Sequence, residues 1–396
     1  MPAFAGLRGT GSWGPDERPK NFREGILWAR PNGSAPLLAL TSKAKSQSTD
    51  DPEFAWWEER LEPVRVQVNY TTGYTSSDNT IVVAEGGLKL IPGDVLQVEK
   101  TEDAAYTNEF VEVSSVTSDT VIVVKRGVAN TAAAAIANSV YLTKLGSSFE
   151  EGVGGPSISF RNPTKLSNYC EIFKTKVGIT ATADKTRART GDAWKNDKKR
   201  QAYYHSVSIE MALLFGKAYE TTGPNGRPKR YTGGLRSFLS TNVTVFTTTP
   251  TEDTFLNAVY GVFNYNTDSG AGDERIVFAG NGFLNSLNKL AKNSPSTRIN
   301  FDGQLDVYGM NLQKWILPQG TLGVRTHPLL NNHGRYTYSA FIIDPTNLKY
   351  RYLRDTTFKD NTQANDQDGR EGIWLTEAGL EVNFEYTMGY IGNFIV

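Results

Sequence analysis

The chain has 396 residues, and 42 basic side chains balance 42 acidic ones at a sequence pI near 6.9. A hydrophobic fraction of 39% with 11% aromatics excludes bulk disorder, because a chain this rich in apolar side chains can bury a core. No apolar run reaches the roughly 18 residues needed to cross a bilayer. The single cysteine, Cys170, forms no internal disulfide, and three histidines leave little material for a metal site. The first residues, Met1 to Lys20, have neither a cationic start nor an apolar core, so no signal peptide is expected. These features predict a soluble globular protein made in the cytosol, without obvious catalytic equipment.

Residues 1–36 are punctuated by glycine and proline too often for a regular element, yet they carry Trp13, Phe22 and Trp28. Apolar residues in an extended arm need a surface to dock on, which points to packing against a neighbour. Leu37 to Ala44 forms a short apolar run. Asp51-Pro52-Glu53 then predicts a helix start, continuing through Trp56, Trp57 and Leu61.

From Val64 the pattern changes to a period of two, with Val64, Val66 and Val68 alternating with Arg65, Gln67 and Asn69. Strand-like runs follow at Thr80–Ala84, Val95–Glu99, Phe110–Ser114, Thr120–Lys125 and Ser139–Thr143, separated by turn signals such as Ile91-Pro92-Gly93-Asp94. This density of short strands predicts a compact all-β module, a small barrel or sandwich. After the breakers Gly152, Gly154, Gly155 and Pro156 come strand-like Leu166–Phe173 and Lys176–Thr182.

The run from Asp192 to Glu220 is the longest helical signal in the chain. Tyr203, Val207, Met211, Leu214, Phe215 and Ala218 predict its buried face, Asp192 its N-cap, and Thr221 to Pro224 its stop. Beyond Tyr231 the pattern is mixed. Helices are expected after Thr251 and from Asn281. Strands are expected at Arg275–Ala279, Asp306–Tyr308, Leu312–Leu317, Leu322–Arg325, Tyr336–Asp344, Leu348–Leu353 and Leu380–Thr387, with a polar loop at Lys359–Arg370.

Charge is segregated. Residues 161–200 hold eleven bases against four acids, residues 62–126 ten acids against five bases, and Asp355 to Glu385 eight acids against Lys359 and Arg370. Such blocks can pair copies of one chain, although most surface charge simply faces water.

Tests for chemistry return little. Gly9-Thr10-Gly11-Ser12-Trp13-Gly14 matches GxGxxG, but prolines replace the strand and helix that a dinucleotide site requires. Asp366-Gln367-Asp368-Gly369 resembles a calcium loop whose first and twelfth positions would be Ala364 and Leu375, neither a ligand. His205 is expected as a packing or interface residue and Cys170 as a buried free thiol. The block Lys195 to Arg200 beside Trp194, Tyr203 and Tyr204 could touch phosphates, but no reading motif accompanies it. No catalytic, cofactor or metal residues are nominated.

Four local sequences carry a resemblance: Gly93 to Val98, Phe149 to Gly152, Met211 to Lys217, and Gly226 to Leu235. With the order of elements, they resemble the Hong Kong 97-like α+β fold of tailed-bacteriophage major capsid proteins, in the subgroup with a β domain inserted in the extended loop. The resemblance implies an N-terminal arm at 1–62, a β insertion at 63–148 and the remaining extended loop at 149–190. It also implies a peripheral domain with the spine helix at 191–231, an axial domain at 232–340, and returning peripheral strands at 341–396.

The function it implies is a major capsid protein, not an enzyme, which self-assembles into pentamers and hexamers of an icosahedral virion shell around double-stranded DNA. Assembly would occur in the bacterial host cytoplasm, without cofactor or membrane, with portal and scaffold or cement proteins as partners and non-specific DNA contact. Inter-subunit contacts are expected from Trp13, Phe22, Trp28, Arg161, Lys165, Lys174, Lys176, Arg187 and Arg189. The alternative is a virion surface or tail component whose β module binds carbohydrate. An enzyme with remote carboxylates ranks third.

Overall fold

The computed structural model describes residues 46–61, 63–99, 107–156, 162–265, 274–293, 301–307 and 310–396. The arm through Lys45, including the glycine motif, the run Leu37–Ala44 and Trp13, Phe22 and Trp28, lies outside them, as does Arg161. The chain divides into two compact units, one of residues 57–165 and the other of residues 1–56 with 166–396.

The unit 57–165 is built on one antiparallel six-stranded sheet, in the order Arg65–Gln67, Tyr141–Ser147, Asp94–Val98, Phe110–Ser118, Val121–Val128, Thr80–Val82. A bridge between Val68 and Val83 joins the two edge strands, and Asn69 N–H donates to Val82 O at 2.9 Å. The sheet is therefore closed into a small barrel, which removes the exposed edges that invite aggregation. The period-two pattern drives it. Val66, Ile81, Leu96, Val111, Val113, Ile122, Val124 and Leu142 point inward and are almost fully buried, each contributing roughly 1.5–3 kcal/mol.

The other unit carries two larger sheets. In the four-stranded sheet, Ser46–Ser48 pairs in parallel with Leu348–Asp360, which pairs antiparallel with Gly369–Val382, which pairs antiparallel with Glu171–Thr180. The seven-stranded sheet runs Val243–Val245, Gly389–Gly392, Ala340–Ile343, Glu274–Ala279, Gly320–Thr326, Met310–Leu317, Phe301–Val307. Phe173, Ile209, Leu213, Phe278, Phe341 and Leu380 form a core beneath the spine helix. Phe255, Phe283, Trp315 and Phe394 form a second, with the Phe255 and Trp315 rings stacked at 4.9 Å.

Several expectations need correction. Glu53–Glu58 is a strand, paired with Thr164–Tyr169, rather than a helix. Its burial alternates, with Phe54 and Trp56 inside and Glu53, Ala55 and Trp57 outside. That period of two outweighs the Asp-Pro start signal once a partner strand is available.

The spine helix spans Ala193–Phe215 and ends at Gly216, short of Glu220. Asp192 caps it as expected, accepting from Lys195 N–H at 3.1 Å. It stops because Gly216 meets another part of the chain. A Cβ there would stand 2.4 Å from Thr232 O, and Gly234 N–H donates to Gly216 O. The chain then enters a hairpin, Tyr219–Thr222 with Pro228–Tyr231.

The helix's buried face is also different. Trp194, His205, Ile209, Glu210, Leu213 and Leu214 are buried, whereas Tyr203, Val207 and Met211 are only half-buried. Two polar members of that stripe hide it from hydrophobic periodicity. Tyr336–Tyr338 is a 3-10 turn rather than strand, followed by the strand Ala340–Ile343. Glu385–Thr387 is likewise a 3-10 turn. The expected loop at Lys359–Arg370 shrinks because the hairpin strands extend to Asp360 and from Gly369.

Candidate functional site

The four segments behind the resemblance pair off in space. Gly93 adopts φ +91°, conformationally open to glycine, and the Phe149 ring lies so close that a Cβ at Gly93 would stand 2.5 Å from it. Gly216, from the second pair, packs backbone to backbone on Gly234. Asn168 braces that junction. Its fully buried amide donates to Gly233 O at 3.0 Å and Leu380 O at 2.7 Å, and its oxygen accepts from Gly233 N–H at 2.7 Å. Sequence offered no signal for Asn168, since an isolated Asn in a strand-like run reads as solvent-facing.

Of the expected contact residues, Lys165 and Lys174 are exposed and form no ion pair among the described residues. Arg187 and Arg189 are exposed on the segment before the spine helix. Lys176 is committed within its own chain, to Glu371 at 2.5 Å, and this holds the Glu371 carboxyl below its ordinary pKa.

Lys176–Glu371 belongs to a wider pattern. The acids of 355–385 face bases of the same chain: Asp360 meets Arg370, Glu377 meets Arg354 at 2.6 Å, and Glu381 meets Lys349 and Arg351 at 2.7 and 2.5 Å. Burial pushes the Glu381 carboxyl up, but the two cationic partners outweigh it and hold it below its ordinary value. In the barrel, Glu109 pairs with Arg126 at 2.7 Å, Asp94 with Lys144 at 2.7 Å, and Glu99 with Arg65. Much of the segregated charge is thus neutralised inside the fold.

The block Lys195 to Arg200 is partly spent in the same way. Lys198 Nζ lies 3.7 Å from the centre of the Phe358 ring, Arg370 stacks on Trp194 at 4.7 Å, and Arg200 pairs with Asp197 at 3.1 Å. The first two contacts pin the start of the spine helix to the long hairpin, while the third lies within the helix.

The buried titratable groups are bonded into the core. His205 lies between two threonines, Nδ1 at 2.9 Å from Thr175 Oγ1 and Nε2 at 2.8 Å from Thr376 Oγ1, and burial pushes its pKa down. Glu210 accepts from His327 at 2.9 Å. Cys170 is a buried free thiol whose pKa burial pushes up to about 12, so it is a packing group and not a nucleophile. No group of three or more metal-ligating side chains occurs among the described residues, and the loop at Asp366–Gly369 adds none. No helix there is long and apolar enough to cross a membrane. On the barrel, Tyr70 is exposed and stacks on buried Tyr74 at 5.0 Å, while the Tyr141 ring is covered by Arg65.

Among the described residues, the chain is a strand-rich α+β protein, and many of its ionisable groups bond to its own scaffold. The profile of the SU10 major capsid protein family matches residues 6–394, so the chain belongs to that family, whose members form the phage capsid shell. The mixed α+β class expected from the sequence, with most regular elements strands, is what the described residues show.

A curated relative, the major capsid protein of Pseudomonas phage PaMx41, is 27% identical over 367 residues, covering 89% of this chain and 83% of its own. Similar solved structures include the capsid of a native GTA particle, at TM-score 0.46 and 8% identity over 96% of each chain. Microbacterium phage Oxtober96 gives 0.44 and 11%, covering 95% of this chain and 96% of its own. An encapsulin of Synechococcus elongatus PCC 7942 gives 0.41 and 8%, covering 59% of this chain and 76% of its own.

Proposed function

We propose that this chain closes its shell from pentamers and hexamers around double-stranded DNA and performs no catalysis of its own. The observation that carries this reading is the family match across residues 6–394, nearly the whole chain. In this reading residues 1–62 are the N-terminal arm, 63–148 a β insertion in the extended loop, and 149–190 the rest of that loop. Residues 191–231 and 341–396 make the peripheral domain, and 232–340 the axial domain. The separate barrel unit at 57–165 supports the insertion, although the compact unit begins and ends outside the proposed bounds.

Trp13, Phe22 and Trp28 on the arm, and Arg161, Lys165, Lys174, Arg187 and Arg189 beyond the barrel, are the proposed contacts between copies. Lys176 contributes through Glu371, its partner within the chain, which fixes the strand that presents Lys174. Portal, scaffold or cement proteins complete the virion, DNA contact is non-specific, and assembly takes place in the host cytoplasm.

Negative-stain electron microscopy of the purified chain, across salt and protein concentration, tests the reading. Closed shells, or discrete pentamers and hexamers, are expected. A persistent monomer at high concentration counts against self-assembly. Reversing Lys165, Lys174 and Arg187 together is expected to block closure, and normal shells from that variant would remove them from the contact set.

A further inference from the structure

The hairpin that follows the spine helix leaves an open groove of about 570 Å³ against it, lined by Glu171, Ala212, Lys217, Ala218, Tyr219 and Tyr231. Most of its wall is apolar, and Tyr219 at its rim is 60% exposed. Glu171 supplies the polar feature. One carboxylate oxygen accepts from Thr232 N–H at 3.1 Å, and the other has no hydrogen bond among the described residues. Burial raises its pKa above the ordinary carboxylate value, outweighing the Thr232 N–H and the Lys229 charge, which lower it.

The charges around the groove limit what can enter. Lys217 is exposed at the lining, and Lys229 lies over the Tyr231 ring at 4.9 Å, close enough to act on Glu171. Two lysines oppose a cationic guest, and the apolar walls oppose an anionic one. An apolar body with one neutral N–H donor fits, which is the chemistry of an indole.

The same chain presents such an indole. Trp57 faces outward from the strand Glu53–Glu58 and is 64% exposed, with Leu61 beside it in sequence at 84%. Among the described residues, no groove encloses that ring. Trp57 and Leu61 are the two most exposed large apolar side chains among the described residues and lie four positions apart, and contiguous exposed apolar surface marks contact sites.

We propose that Trp57 of one copy inserts into the Glu171 groove of a second copy, donating its indole N–H to the Glu171 carboxylate. The contact is head-to-tail, so it propagates until a ring or shell closes it. The volume exceeds one indole, and Leu61 of the same segment occupies part of the remainder. This inference rests on the shell reading above.

The test places a photo-crosslinking benzoylphenylalanine at Tyr219 in the full chain and assembles particles from mixed light and heavy isotope copies. Irradiation is expected to give mixed-isotope crosslinks to the peptide containing Trp57. Trp57→Ala is expected to raise the protein concentration needed for assembly at least about tenfold, as for a central aromatic anchor. Trp57→Phe should fall between it and the parent, with monomer melting unchanged in both.

Particles that crosslink instead to Trp13 or Trp28 peptides, crosslink only within a copy, or assemble normally with Trp57→Ala overturn the assignment and leave the shell reading standing. A parent chain that yields neither particles nor mixed-isotope crosslinks at high concentration overturns both.

Discussion

His327 Nε2 donates to Glu210 Oε1 across 2.9 Å, joining two fully buried side chains 117 residues apart. The direction follows from the other ring nitrogen, because His327 Nδ1 accepts from Leu329 N–H at 3.3 Å and so carries no proton. The bond ties the spine helix to the turn after the strand Gly320–Thr326. Glu210→Ala strips a buried donor of its partner and is expected to cost about 1–3 kcal/mol in denaturant unfolding. His327→Ala should cost a similar amount and the double variant less than the sum, since the two share one interaction.

Glu109 and Arg126 play the corresponding part inside the barrel. Arg126 grips both carboxylate oxygens and also donates to Thr75 O, Asp78 O and Ala134 O, while Gly127 and Ala134 N–H groups donate to Glu109. Arg126→Met leaves a buried carboxylate without its cation and is expected to cost about 3–5 kcal/mol. Burial raises the Glu109 pKa, but Arg126 and the backbone donors outweigh it, leaving the native value below the ordinary 4.5. This contribution is therefore complete above pH 4.5 and lost as pH falls through the native value. Acid titration of unfolding, with Glu109→Gln as reference, measures it.

His205 acts at a higher pH with the same sign. Its native pKa lies below 6.5 because burial penalises the imidazolium, and its two ring partners are neutral threonines. Below pH 6.5 the unfolded chain takes up a proton that the native chain refuses, so stability falls on acidification until the native value is passed. Replacing His205 with Gln is expected to flatten the stability profile between pH 5 and 7. An unchanged slope would assign the effect to other groups.

Gly216→Ala tests why the spine helix stops. The added methyl would meet Thr232 O at 2.4 Å and Ala212 O at 2.5 Å, both rigid backbone atoms. A loss of about 2–3 kcal/mol is expected despite alanine's better helix propensity. Stabilisation of the isolated chain would show that this junction yields.

The barrel was legible because each inward residue alternates with an outward one, a pattern that survives without knowledge of the partner strand. The start of the spine helix was legible because Asp192 caps it with a local hydrogen bond. Glu53–Glu58 was misread because its local start signal is helical and its strand pairing is made with residues over a hundred positions away. The buried stripe of the spine helix was missed because His205 and Glu210 sit in it, and they become core residues only when Thr175, Thr376 and His327 arrive to bond them.

Charge gives the same lesson for the contact surface. A run of bases and a run of acids look like complementary edges of two molecules, yet Lys176 and Glu371 meet on neighbouring strands of one sheet. The groove at Glu171 left no trace in the sequence, since its lining comes from a strand, a helix end and a hairpin.

Sequence alone determined what depends on near neighbours: the strand period, the caps, the breakers and the local segments that identify a capsid protein. Tertiary structure decided which polar groups are buried, where the helix ends and which charges remain for other molecules. Those outcomes depend on partners that only folding brings within hydrogen-bond reach.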